Sequence, residues 1–318
     1  MSERTMLYGK GDVFVYRTYA TPLKGVRQIP ESNFTGRSNT IFGMDIQVSL
    51  AGEAFLTSFT EGDNAKVVAT DSMKNFILHH AGEYEGTTME GFLAYVSACF
   101  LDTYDHISEV EMSGRQFPFE AVEVGSPAGV VPSETVFREG MLEKPGTRIS
   151  VGRDENGEAQ IGSLESAVHD LHLIKVKGSS FAGFIRDEYT TLPETKDRPL
   201  FIYLNISWTY KETEHALGAT PEQYVAAEQV KHIAQTLFHQ EDSPSIQKLI
   251  YDIGIRVLER FPQLETVSFE SNNRTWETVR DEIPASGEGK VFTDPRPPFG
   301  FQKFTVLQED VKREEALR

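Results

Sequence analysis

Residues 88–112 read TMEGFLAYVSACFLDTYDHISEVEM, and residues 245–269 read SIQKLIYDIGIRVLERFPQLETVSF, aligned without a gap at an offset of 245 − 88 = 157. Apolar positions coincide: Leu101 with Leu258, Tyr104 with Phe261, Ile107 with Leu264, Val110 with Val267 and Met112 with Phe269. In each segment the first part carries apolar side chains at helical spacing, as in Phe92, Val96, Cys99 and Phe100, and the last part alternates as a half-buried strand does. An internal repeat decides architecture before any single element is placed. Two copies of one unit are expected, each with a helix feeding a strand.

Ahead of each helix lies another helix candidate, clearest in the second half. There Thr220-Pro221-Glu222-Gln223 supplies an N-cap, a first-turn proline and a capping-box partner, predicting a helix that runs to about Gln240. Before the helices come alternating strands: Ile46, Val48 and Leu50 against Asp45, Gln47 and Ser49, and Leu200–Tyr210 with Ile202, Leu204, Ile206 and Trp208 on one face. Each half reads strand, strand, helix, helix, strand, strand. The fold class is therefore α+β, with two tandem four-stranded antiparallel sheets, each carrying two helices on one face.

The hydrophilic stretch 143–146, followed by the turn Asp154-Glu155-Asn156-Gly157 inside a hairpin, puts the second copy's start near residue 145, giving domains 1–144 and 145–318. The charged tail, residues 309–318, is expected to fray. Such sheets leave one face and their edges uncovered, and closing them with other subunits into a barrel covers both.

The chain has 318 residues, 39% hydrophobic and 25% charged, enough for two domains of about 150 residues. No window approaches the roughly 18 uninterrupted apolar residues of a membrane span, and MSERTMLYGK lacks the basic-then-apolar layout of a signal peptide. A cytoplasmic protein is expected. The single cysteine, Cys99, excludes an intramolecular disulfide and a multi-cysteine zinc site, and reads as a small buried hydrophobe on a helix. A formal charge of −17 argues against nucleic acid and anionic membrane as partners. An anionic small substrate then requires a local Lys/Arg cluster inside a pocket.

The eight histidines offer no metal site: His79 and His80 diverge on a helix, and His169 with His172 lacks a carboxylate or cysteine at a recognised ligand spacing. No GxGxxG follows a strand and no P-loop occurs. An enzyme here works with side chains and substrate alone.

The runs that make poor packing material are Tyr8-Gly9-Lys10, VVATDSMKN (67–75), FAGFIRDEYTTLPETKDR (181–198), Ser245-Ile246-Gln247 and NNRTW (272–276). In this order they resemble the signatures of the urate oxidase family, over most of the chain. The resemblance implies two tandem tunnelling-fold domains, and a homotetramer whose barrel tunnel carries active sites at subunit interfaces. It also implies a cofactor-free reaction of urate with dioxygen as co-substrate.

Carried over by residue, it implies that Arg198 and Gln247 grip the purine edges, Phe181 stacks on the ring and Ile246 supplies backbone contacts. Lys10 and Thr70 resemble the proton relay with Asp71 beside them, and Asn273 resembles the holder of water or dioxygen. The residue types suit the task. A guanidinium offers two parallel donors to an anion, a glutamine amide both donates and accepts, and a desolvated lysine with a threonine hydroxyl passes protons.

One position departs from the pattern: some relatives carry a relay histidine two residues after the asparagine, where this chain has Thr275. At offset 157, Gln247 corresponds to Glu90, which reads as an idle counterpart. Two other readings stay open: pterin ring chemistry on the same fold, and a non-catalytic purine-binding protein. The C-terminal Glu315-Ala316-Leu317-Arg318 is not a peroxisomal address and agrees with the cytoplasm.

Overall fold

The computed structural model describes residues 4–140, 142–195, 197–242, 244–274, 276–287, 289–294 and 297–317. Its principal strands are β1 (Leu7–Thr18), β2 (Ile41–Ala51), β3 (Glu109–Phe117), β4 (Lys144–Arg153), β5 (Ala159–Lys175), β6 (Leu200–Tyr210), β7 (Leu264–Arg274) and β8 (Gly300–Leu307). They pair antiparallel in chain order as one eight-stranded sheet, with β1 and β8 at its edges. The main helices are α1 (Thr70–Glu83), α2 (Met89–Thr103), α3 (Ala227–Gln240), α4 (Ile246–Arg260) and α5 (Gln308–Leu317).

The alternation in β2 and β6 sets the layers. Phe42, Met44, Ile46, Val48 and Leu50 of β2, and Ile202, Leu204, Ile206 and Trp208 of β6, are almost wholly buried. Their side chains meet the helices on one face of the sheet, where Phe92, Phe100, Ile253 and Leu258 complete the core. The opposite face is concave and polar, with Gln47, Arg148, Glu165, Asn205 and Glu270 lining a groove of about 840 Å³.

The repeat is visible in the elements themselves. Shifting α1 (70–83) and α2 (89–103) by 157 gives the bounds of α3 (227–240) and α4 (246–260). The caps repeat as well: Thr88 Oγ1 accepts from the Gly91 N–H at 3.1 Å, and Ser245 Oγ from the Lys248 N–H at 3.2 Å. In the first two strands of each half the shift is 158: Lys10 pairs with Val48 as Val168 pairs with Ile206. Both β1 and β5 break register there, at left-handed Asp12 (φ 53°) and Asp170 (φ 58°), themselves 158 apart. One residue fewer therefore joins β6 to α3 than β2 to α1.

Three expectations change. The helix foreseen from Thr220 begins only at Ala227, because residues 220–226 are held otherwise: Tyr224 is buried with its hydroxyl donating to Glu90, and the Val225 N–H donates to Tyr210 Oη at 3.1 Å. The tail foreseen as frayed forms α5, since Val311 is buried and Glu314 accepts from Tyr251 Oη at 2.9 Å. Cys99 is on helix α2 as expected, yet only half buried. The Asp154–Gly157 hairpin is present, with Asp154 Oδ1 accepting from the N–H groups of Asn156 and Glu158 and Gly157 at φ 84°. No helix among the described residues is long and apolar enough to cross a membrane.

A loop of the first half clasps the second. Glu31, its side chain 4% exposed, accepts from Arg256 at 2.9 Å and from Arg260 at 2.8 Å on α4. Burial alone would raise this carboxyl, but the two guanidinium groups outweigh it and hold it at about 2, against an ordinary 4.5. A depressed folded pKa means the contribution is full above about 4.5 and lost as pH falls towards 2. The melting-temperature difference between wild type and Glu31→Gln, followed by calorimetry, is therefore expected to be constant near neutrality and to shrink below pH 4.5. A difference independent of pH would remove the ion pair as its cause.

Candidate functional site

Lys10 lies on edge strand β1 opposite Val48, so its half-buried side chain is on the helix-covered side of the sheet. Thr70 opens α1, and its N-cap Ala69 provides no side-chain bond. The first-turn N–H groups are thus left for other acceptors, and the helix dipole makes that end attractive to an anion. Asp71 is exposed and accepts from Lys74 Nζ at 2.6 Å and Asn75 Nδ2 at 3.1 Å. Lys74, with a smaller contribution from Lys10, holds its carboxyl below the ordinary range. Lys10 and the start of α1 therefore share one electrostatic neighbourhood.

Tyr8 creates that neighbourhood, a role its place in the Tyr8-Gly9-Lys10 run did not reveal. Its hydroxyl donates to Val68 O at 3.2 Å and accepts from the Val68 N–H at 2.7 Å, while its ring packs edge-on against Phe55 with centroids 4.8 Å apart. Burial raises the phenol's pKa, which keeps its proton in place as a donor. The peptide two residues before Thr70 is thereby pinned to the strand that carries Lys10. Tyr8→Phe leaves the Val68 N–H without its acceptor and is expected to destabilise the protein by about 1–3 kcal/mol. Denaturant titration checks this, and a midpoint equal to wild type would mean that water replaces the hydroxyl.

A second group forms around the long 181–198 run. Phe181 and Thr195 bridge through N–H···O bonds of 2.8 and 3.0 Å, and the Arg198 N–H donates to Ser179 O at 2.9 Å. This folds the run back so that the Arg198 guanidinium carbon stands 5.4 Å from the Phe181 ring centroid. Arg198 Nε is buried without a partner, and desolvation lowers the group's pKa. A flat ring with an unspent, partly desolvated guanidinium beside it suits a planar anion.

Ile246 and Gln247 open α4, the first buried and the second exposed. Asn273 pairs with Ile202, which puts it on the same helix-covered face, and its Oδ1 accepts from Gln302 Nε2 at 3.3 Å. Thr275 lies outside the described residues.

One chain does not unite the two groups. Lys10 is on β1 and Asn273 on β7, six strand spacings apart, on the order of 29 Å along the sheet at about 4.8 Å each. Within the chain Lys10 acts electrostatically on Asp71, next to Thr70, and Phe181 sits with Arg198.

Glu90 is far from idle structurally. It is buried, accepts from Ser166 Oγ at 2.7 Å and from Tyr224 Oη, and burial raises its pKa. Among the described residues no three His, Cys, Asp or Glu side chains are arranged to hold a metal ion. His79 faces Glu83 at 3.3 Å, and burial lowers the pKa of His169.

The sequence model of the family described as Uricase matches residues 6–147 and 164–303. The chain is 55% identical, over 98% of its length, to the uric acid degradation bifunctional protein PucL of Bacillus subtilis (strain 168), but spans only 63% of that relative. It is 54% identical to the uricase of Haloferax volcanii, covering 96% of this chain and 99% of the relative. Among solved structures, a uricase from Bacillus fastidious superposes with a TM-score of 0.95 at 55% identity, covering 99% of this chain and 97% of that one.

Proposed function

The chain belongs to the uricase family, and from that premise we propose that it oxidises urate with dioxygen and water to 5-hydroxyisourate and hydrogen peroxide, in the cytoplasm and without a resident cofactor. Atoms balance: C5H4N4O3 with O2 and H2O gives C5H4N4O4 and H2O2. The observation that carries the reading is the Arg198 guanidinium, with its buried unpartnered Nε, standing beside the Phe181 ring.

The active site is proposed to need two chains, and the repeat supports this. Inside one chain β4 pairs with β5, which sets the α2 start, with Glu90, against β5 and the segment leading into α3. The equivalents of β4 and β5 are the edge strands β8 and β1. If a second chain's β1 joins this chain's β8 in the same way, the partner copy brings Lys10 and Thr70 to Gln247, Asn273 and Arg198. Exposed Leu7, Phe14 and Tyr16 on β1, and Phe301 and Phe304 on β8, are apolar surface that such pairing would cover.

Pairing of this kind at both edges would close a barrel from two chains, and the homotetramer is what the family resemblance adds to it. Each chain then contributes two tunnelling-fold units. Sequence placed their boundary at residue 145; the correspondence of β4 with β8 favours moving it to the Asp154–Gly157 turn, so that 1–153 and 158–318 each hold four strands of the sheet.

The chemistry follows from the slow reaction of triplet dioxygen with closed-shell molecules. Urate must be made electron-rich, and deprotonation does so. Lys10 takes the proton through the Thr70 hydroxyl, and Arg198 with the α1 N-terminus stabilises the charge in a site where such contacts are stronger than in bulk water. Gln247 reads the amide edge, Phe181 stacks on the ring, the Ile246 backbone adds a contact, and Asn273 holds the water that attacks the oxidised ring.

The test is urate absorbance loss with parallel peroxide detection, on purified protein treated with a strong chelator and no added cofactor. One peroxide per urate supports the reading. Tight urate binding without turnover would favour a non-catalytic purine binder.

A further inference from the structure

The correspondence of the halves has a second product. A cleft of about 360 Å³ lies between them within one chain, lined by Gln116, Val168, Ala227 and Glu228 among others. At offset 157 Gln116, Ala227 and Glu228 stand where Asn273, Thr70 and Asp71 stand in the other half, and at offset 158 Val168 stands where Lys10 does. The cleft is thus an internal counterpart of the proposed urate site, assembled by one chain, which keeps an amide at Gln116 and a carboxylate at Glu228 and loses the lysine, threonine and arginine. Val168 and Ala227 cannot relay protons. The counterpart of Arg198 is Thr40, and the counterpart of Gln247 is Glu90, whose carboxylate is engaged by Ser166 and Tyr224.

What remains is a receptor of different character. Its charges are matched internally: Arg37 donates to both Glu228 oxygens at 2.7 Å, and Lys231 lies 3.1 Å from Glu143. No surplus cation is left to hold an anion. Gln116 is 4% exposed and its Oε1 has no partner, an acceptor that costs free energy unless something donates to it. Phe34, Phe119 and Phe137 also line it, and the volume falls in the range of small-molecule sites.

We propose that this cleft is a second, non-catalytic site for an uncharged, flat heterocycle with a ring N–H, which donates to Gln116 Oε1 while its faces pack against phenylalanine. The proposal stands on the correspondence of the halves and the empty acceptor, and is independent of the reaction at the first site.

Hypoxanthine, uncharged at neutral pH, is the probe. Equilibrium dialysis against the full chain is expected to find a hypoxanthine site that survives Arg198→Ala and is weakened about tenfold or more when Gln116→Leu is added. Retention of near-ultraviolet circular dichroism confirms that the variant is folded, and a hypoxanthine-soaked crystal of the wild type, with density expected beside Gln116, serves if it is not. Binding lost altogether in Arg198→Ala, binding indifferent to Gln116→Leu, or density confined to the Phe181 ring would overturn the proposal.

Discussion

Lys10→Ala is expected to lower urate turnover by a factor on the order of 10²–10⁴ while affinity for urate changes little, because a positioned proton acceptor acts on the transition state and hardly at all on the bound ground state. Thr70→Ala should give a loss of similar size. In a two-member relay, the second deletion adds almost nothing to the first, so the double variant should be no worse than the poorer single one. Steady-state kinetics on all three decide the matter. A fall confined to affinity would show that Lys10 binds and does not relay, and additive losses would separate Thr70 from it. Lys10 is half buried and shares its surroundings with Asp71, so its removal leaves no deeply buried charge unpaired and the fold should persist.

Arg198→Ala is expected to act on the other side of the kinetic ledger, raising the urate concentration for half-saturation roughly 10- to 100-fold, as the loss of charge-assisted hydrogen bonds predicts. Arg198→Lys should recover only part of this, since an ammonium keeps the charge but lacks the planar fork that meets an anion with two parallel donors. The backbone of residue 198 is held by Ser179 O independently of its side chain, so the run should keep its course over Phe181. Saturation behaviour unchanged in the alanine variant would sink the gripping role outright.

The residues proposed for the site could be named from the sequence because they lie in recognisable runs. Phe181 and Arg198 belong to one run, which folds back on itself to bring them together, whereas Lys10 and Asp71 belong to two runs that the structure places in one electrostatic neighbourhood. The clasp of Glu31 by Arg256 and Arg260, and the engagement of Glu90 by Ser166 and Tyr224, were not legible. Their partners are separated by 225, 229, 76 and 134 residues, and no periodicity in either segment announces the other.

By itself, the sequence determined the repeat, the buried faces of β2 and β6, the helices α2 and α4 and the hairpin at Asp154–Gly157. All of these rest on spacing between near neighbours, where backbone geometry converts pattern directly into structure. Tertiary structure alone decided that α3 begins at Ala227 despite a well-formed capping box upstream, because Glu90 and Tyr210 bind the residues that would have been its first turns. It decided likewise that the tail docks as α5 on Tyr251, and that the halves share one sheet with Lys10 and Asn273 six strands apart. Local propensity is worth a fraction of a kcal/mol per residue, whereas a buried polar group without its partner costs about 1–3 kcal/mol. Where the two compete, the long-range contact prevails.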